Sequence, residues 1–262
     1  MNIKFEIYFL LDDFKRLDDF ALLMCQDCNY GNVNDWFGAF RGGLYGFYSR
    51  LDGVRTHYYN IHAWLPMQRS PYEVEYHLTS IFFNMDSAVE CLVFSLNALG
   101  NAINSNLFRD ISNEKELKQI KPNDMIGDTS NKNSRLPLIG YKDYFNNALT
   151  YWQENSKLLS VITDHHDVSK HRESIFIGGM TRQDVPKDFF ESLGVTDKFT
   201  QAMFHPMAEI ILQDDPKRHR LNESKHISKS NLLLENLACD FCNFINKTGE
   251  IIYKDATNNI KF

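Results

Sequence analysis

The sequence predicts a mainly α fold: a helical bundle built on two or three long helices, with minor β near the termini and an irregular insertion. Three observations predict it. Val74, Leu78, Ile81, Met85, Val89, Leu92, Leu96, Leu99 and Ile103 recur every three or four residues without interruption. Tyr141, Phe145, Ala148, Trp152, Leu159 and Ile162 repeat that spacing, and so do Leu234, Leu237, Ala238, Phe241, Phe244 and Ile245. Apolar residues at this period form one face of a helix. A helix over 71–103 would be about 50 Å long at 1.5 Å per residue. A bundle or a long helical hairpin is the architecture that houses it.

The elements follow in chain order. Ile3, Phe5, Ile7 and Phe9 alternate with Lys4, Glu6 and Tyr8, the period of a short strand. From Leu10 the period lengthens: Leu10, Phe14, Leu17, Ala21, Met24 and Cys28 form a helical face, with Gly31 as its stop. Residues 31–70 read as irregular, with a short helix near 35–48 that turns Trp36, Phe40 and Phe47 inward and is weakened by Gly42-Gly43. Ser70-Pro71-Tyr72-Glu73 opens the long helix with an N-cap Ser, a first-turn Pro and a Glu three residues after the cap. A short helix is expected near 113–120 and a second long one over 142–163. Residues 186–193 suggest a further short helix and Glu209–Leu212 a short strand. The last helix is expected over 229–246, with Ile251-Ile252-Tyr253 as a terminal strand.

Composition bounds the function. Of 262 residues, 43% are hydrophobic, 20 are Phe and 12 are Tyr, enough for a sizeable core. No Pro/Gly/Ser-rich linker divides the chain, so a single domain over 1–262 is expected, with 104–140 and 178–228 as loop-rich excursions. The net charge of −6 argues against sequence-blind polyanion binding, which needs a basic surface. It leaves room for a local basic patch. The start, Met1-Asn2-Ile3-Lys4-Phe5-Glu6, lacks a signal peptide's apolar run, and the uncharged stretch from Cys91 to Asn106 is interrupted by Asn and Ser. A cytoplasmic protein away from membranes is the expectation. Arg41-Gly42-Gly43-Leu44-Tyr45-Gly46 lacks the Lys of a phosphate loop, and no cofactor is expected.

The densest chemistry lies in Asp164-His165-His166-Asp167-Val168-Ser169-Lys170-His171-Arg172. Asp164 and Asp167 suit a helix start, where a carboxylate caps and complements the dipole. If 165–176 is helical, Asp167, Lys170 and His171 share a face, as do His166 and Lys170. His171 and Arg172, with Lys170, Asp167 and His166, are the candidate catalytic group. His can move a proton while Arg stabilises charge on a phosphate. The basic run Lys217-Arg218-His219-Arg220 and, beyond it, His226 supply candidate anion-binding residues: Arg218, Arg220 and His226.

Two family resemblances bear on this cluster. A helical bundle with Arg and His in Arg220-Leu221-Asn222-Glu223-Ser224-Lys225-His226 resembles the HEPN group, as do the Arg50–His57 and Arg55–His62 spacings. That resemblance implies a small helical bundle and a metal-independent ribonuclease. His166-Asp167-Val168-Ser169-Lys170 resembles the His-Asp dyad of HD-type phosphohydrolases, which implies a metal-dependent enzyme. The chain holds no His between His77 and His165, where that family's earlier ligand would lie. The leading expectation is a binding or interaction module with a His/Lys/Arg site for an anionic ligand such as RNA or another phosphate compound. Homo-oligomerisation through helix packing stays open.

Cys25-Gln26-Asp27-Cys28 and Cys239-Asp240-Phe241-Cys242 are both C-x2-C pairs. Four thiolates make a structural zinc set, so Cys25, Cys28, Cys239 and Cys242 form an alternative metal site. Their helical setting, with Cys28 on an apolar stripe, favours the ordinary reading as small buried hydrophobes, and no metal is the expectation.

Overall fold

A computed structural model describes residues 7–27, 30, 35–63, 71–127, 135–171, 176–180, 209–212 and 232–261. Among them the fold is mainly helical. The helices are α1 (Asp12–Gln26), α2 (Trp36–Ala63), α3 (Pro71–Ile103), α4 (Glu114–Leu117), α5 (Asn123–Ile126), α6 (Arg135–Tyr144), α7 (Asn146–Glu154), α8 (Ser156–His171) and α9 (Leu234–Asn259). Strands β1 (Phe176–Met180) and β2 (Glu209–Leu212) pair antiparallel, Phe176 opposite Leu212 and Met180 opposite Glu209. The described residues gather into two compact units. One holds those of 1–8, 52–86 and 158–241, and the other those of 9–51, 87–157 and 242–262.

The unit formed by 9–51, 87–157 and 242–262 is built on aromatic packing. Phe14 of α1 meets Phe47 of α2 at 4.7 Å between ring centroids, and both are fully buried. Gly43 lets α2 come close to α3: a Cβ there would collide with Ser95 Oγ and lie 2.9 Å from the Cys91 carbonyl. Ser95 Oγ donates to the Phe40 carbonyl at 2.9 Å, a second tie between the same helices. Residues 104–127 are anchored by Arg109, whose Nε and Nη2 donate to the two oxygens of buried Asp124 at 2.7 and 2.9 Å. Asn97 and Asn101 of α3 both donate to the Arg109 carbonyl. This bidentate pair is the geometry at which a guanidinium and a carboxylate satisfy each other away from water.

The unit formed by 1–8, 52–86 and 158–241 carries the polar cluster. Val54, Tyr58 and Ile61 of α2, Val74, Leu78, Ile81, Phe82 and Met85 of α3, and Leu159, Ile162 and Val168 of α8 are buried. Leu234, Leu237, Ala238 and Phe241 add the start of α9. Val74, Leu78, Ile81 and Met85, Leu159 and Ile162, and Leu234, Leu237, Ala238 and Phe241 lie on the inward faces that the three- and four-residue spacing predicts.

Several elements differ from expectation. α2 is one helix of 28 residues rather than a short one in an irregular region. Gly43, Gly46 and Gly53 of α2 face residues of α3, and no glycine breaks the helix. The helix expected over 142–163 is three helices. Phe145 (φ −132°, ψ 45°) and Asn155 (φ −97°, ψ 11°) leave helical geometry between them. The first break is held by Asp255, which accepts from the Ala148 amide at 2.9 Å and from Asn147 Nδ2 at 2.7 Å. A buried carboxylate thus caps the start of α7. The terminal strand expected at 251–253 is helix, because α9 runs on to Asn259 with Ile252, Ala256 and Ile260 buried. Ile7–Phe9 form no strand; the strand expected at Glu209–Leu212 is present, and it pairs with Phe176–Met180 rather than with a terminal segment. Leu10 is 53% exposed, since α1 begins at Asp12 and the Leu10 amide turns to Asn246 Oδ1. Gly31, Ser70 and the helix expected over 186–193 lie outside the described residues.

Candidate functional site

α8 delivers the polar cluster and α3 supplies its partners. The apolar stripe of α8, Leu159 and Ile162 with Val168, turns one face inward, and His165 and His166 sit at its edge. His165 is fully buried. Its ring stacks on Phe82 of α3 at 4.7 Å and 14°, and its Nδ1–H donates to the Val161 carbonyl at 2.7 Å. That is a packing histidine.

His166 is held differently. Its Nδ1 lies 2.7 Å from Asp86 Oδ2, and Thr163 Oγ1 donates to Asp86 Oδ1, also at 2.7 Å. A carboxylate only accepts, so Nδ1 carries the proton, and in the neutral ring Nε2 is the acceptor. Both carboxylate oxygens are spent on orienting this group. The Phe83 ring and the imidazole make a T-shaped contact, 5.5 Å between centroids and 71° between planes. Nε2 makes no hydrogen bond to another described residue. Geometry of this kind, carboxylate to Nδ1 with Nε2 presented, orients imidazoles that exchange protons or bind ligands.

The other candidates are placed as follows. Asp164 and Asp167 are half-buried on α8, and Lys170 is exposed one turn beyond His166. The carboxylate that meets His166 is Asp86, not its chain neighbour Asp167. His171 ends α8, its side chain lying outside the described residues, as do Arg172, Arg218, Arg220 and His226. At Arg55–His62 the two ends have separate partners: Arg55 donates to Asp52, and His62 Nε2 lies 3.4 Å from Glu235. Cys25 and Cys239 are half-buried and Cys242 is buried, and Cys28 is outside the described residues. Among the described residues no group of three or more His, Cys, Asp or Glu is placed to hold a metal ion. Nor is any helix among them long and apolar enough to cross a membrane.

Two polar pairs escaped the sequence reading. His57 Nδ1 lies 2.9 Å from His77 Nδ1, with the Tyr76 ring edge-on to His57. Burial holds the His57 imidazole below its ordinary range. His62 faces buried Glu235, and Tyr58 packs against His62 at 4.6 Å. Burial and the Glu235 carboxylate raise the Tyr58 phenol well above its ordinary value. Asp86 was also missed, although an acid inside the apolar run Met85-Asp86-Ser87-Ala88 is a signal that something polar must meet it.

No family model matches this chain, and no curated protein or solved structure is detectably similar to it.

Proposed function

We propose that this chain is a helical binding module for an anionic ligand, a phosphate compound or RNA, met by His166 and Lys170. The observation that carries the reading is the hydrogen-bonded series Thr163–Asp86–His166. It fixes one imidazole and leaves Nε2 for a partner. Protonated, Nε2–H donates to a phosphate oxygen; neutral, it accepts from a ligand hydroxyl. Lys170 stands four residues along α8 on the same face and adds a fixed positive charge. His171, Arg172, Arg218, Arg220 and His226 belong to the proposal as further cations. The resemblance to HEPN proteins points the same way, since it pairs a His with a cationic partner.

The test is a titration of the full chain with inorganic phosphate, followed by imidazole ¹⁵N NMR. The His166 Nε2 resonance is expected to shift saturably. His166→Gln and Lys170→Gln are each expected to weaken binding several-fold while the circular dichroism stays unchanged. A His166 signal indifferent to phosphate would overturn the reading.

The same tautomer favours a second reading, metal-independent RNA cleavage: Nε2 takes the proton of a ribose 2′-hydroxyl as that oxygen bonds to the adjacent phosphorus, the P–O5′ bond breaks and the leaving 5′-oxygen takes a proton from solvent, giving a 2′,3′-cyclic phosphate and a 5′-hydroxyl. An imidazole held through Nδ1 by a carboxylate could also ligate a metal through Nε2, so a chelator separates this reading from an HD-type metal enzyme. Cleavage of single-stranded RNA that persists in chelator and is lost in His166→Ala is the expected outcome. Loss of cleavage in chelator would favour the metal enzyme instead.

A further inference from the structure

We propose that His57 and His77 form a two-histidine site for a borderline divalent transition-metal ion, zinc or copper(II). The inference is independent of the anionic-ligand reading at His166. His57 stands on α2 and His77 on α3, and their Nδ1 atoms face each other at 2.9 Å. A neutral pair in this contact shares one proton: one Nδ1–H donates and the other Nδ1 accepts. An ion that takes imidazole nitrogen can replace that proton and engage both lone pairs.

The spacing of the rings sets how much must move. Zinc holds imidazole nitrogens at about 2.0–2.1 Å in a tetrahedral shell, so two such nitrogens lie about 3.3 Å apart. Each ring centroid is then about 3.2 Å from the ion, and the two centroids are about 5.2 Å from each other. The His57 and His77 centroids are 5.2 Å apart. The rings therefore need only tilt, each by about 35° from head-on contact, to turn both Nδ1 lone pairs on one point. The ring that gave its Nδ1–H to the contact loses that proton to solvent and takes one at Nε2. Both bound imidazoles are then Nε2–H tautomers.

The surroundings suit a cation in contact with water. Both histidines are half-buried, and two protein ligands leave two positions of the tetrahedron for water. The Tyr76 ring contacts both imidazoles, at 5.8 Å from His57 and 5.2 Å from His77 between centroids, and adds an aromatic wall beside the pair. Exposed Glu73 stands one turn before His77 on the same face of α3, and its negative charge favours a bound cation. Calcium and magnesium fit less well, because they take oxygen ligands. Zinc and copper(II) take imidazole, copper(II) the more tightly.

The test treats the full chain with chelator, removes the chelator, titrates with zinc and follows imidazole ¹⁵N NMR. The His57 and His77 resonances are expected to shift saturably and to end as two Nε2–H tautomers. Zinc should also raise Tm, since it binds the folded state, and magnesium should not. His57→Gln and His77→Gln are each expected to weaken zinc binding by more than about 10- to 100-fold, the loss that follows removal of even an outer partner of a metal ligand. The wild-type spectra decide alone if either variant fails to fold. Zinc that leaves one ring of the pair with its proton on Nδ1 overturns the inference. Zinc binding retained in both variants overturns it as well. Zinc that shifts His166 alone also overturns it and assigns the metal to that ring.

Discussion

Asp86 accepts two hydrogen bonds through two oxygens, and an amide in its place offers only one acceptor. Asp86→Asn therefore leaves either the Thr163 hydroxyl or His166 Nδ1–H without its partner. The expected loss is about 1–3 kcal/mol in urea unfolding, the cost of an unmet buried polar group. Thr163→Val removes only one neutral donor and should cost about 1 kcal/mol. Imidazole ¹⁵N shifts should show the His166 tautomer disturbed in Asp86→Asn and intact in Thr163→Val. A fixed tautomer in both would mean that Asp86 does not set it. His57 carries a second expectation at this scale. Burial lowers its pKa from the ordinary 6.5, so the folded state prefers it neutral. The unfolded chain takes up the proton more readily. The stability His57 contributes is thus complete above about pH 6.5 and is lost as pH falls toward the folded value. Urea midpoints should drop from about pH 7 to pH 5, and His57→Gln should flatten part of that drop. Parallel curves for the two proteins would show that His57 does not titrate with unfolding. Half of the candidate site was legible from residues alone. His166 stood out within a run of charged neighbours. Asp86 did not, because its partner is distant in sequence and its own neighbours look like ordinary core.

α2 shows why an element can be misread while its residues are read correctly. Trp36, Phe40 and Phe47 face inward as their spacing predicts, yet the helix runs on far beyond Tyr48. Glycine lowers helix propensity, so Gly42-Gly43 argues for a break. What outweighs propensity is the approach of α3 at Gly43, and no local rule contains that. The two glycines therefore separate experimentally. A Cβ at Gly42 meets nothing within 4 Å. Gly42→Ala is expected to stabilise by about 0.5–1 kcal/mol, the ordinary helical gain. At Gly43 the added methyl meets Ser95 Oγ, the Cys91 carbonyl and the Phe94 ring. Gly43→Ala is expected to destabilise by about 1–3 kcal/mol despite its better propensity, because a packed interface must give way. Thermal unfolding of the pair checks this, and equal shifts would mean that α3 does not crowd Gly43. By contrast α3 was legible from end to end, since its start signal and its stripe agree. The 142–163 stripe was legible as a face but not as three helices. Its first break depends on Asp255, which the chain brings to α7 from more than a hundred residues away.

For the whole molecule, net charge sets a limit that no single residue shows. A chain of net charge −6 repels a long polyanion except where cations are gathered. The proposed anion contact engages His166 and Lys170, so it neutralises few phosphates. Two consequences follow for the wild-type chain. Each phosphate neutralised on a single strand steepens the slope of log K against log salt by about 0.7, so one or two contacts give a slope of about −0.7 to −1.4. Lengthening the RNA should also add little, because a chain of net charge −6 repels phosphates beyond that contact. Anisotropy titrations with RNAs of about three, seven and twelve nucleotides, at several salt concentrations, measure both quantities. A shallow slope with affinity levelling off by about seven nucleotides is the expected result, since only one or two phosphates are engaged. A slope steeper than about −3, with affinity climbing through the longest RNA, would instead reveal an extended basic surface. In that case Arg218, Arg220 and their neighbours, rather than His166 and Lys170, would dominate binding.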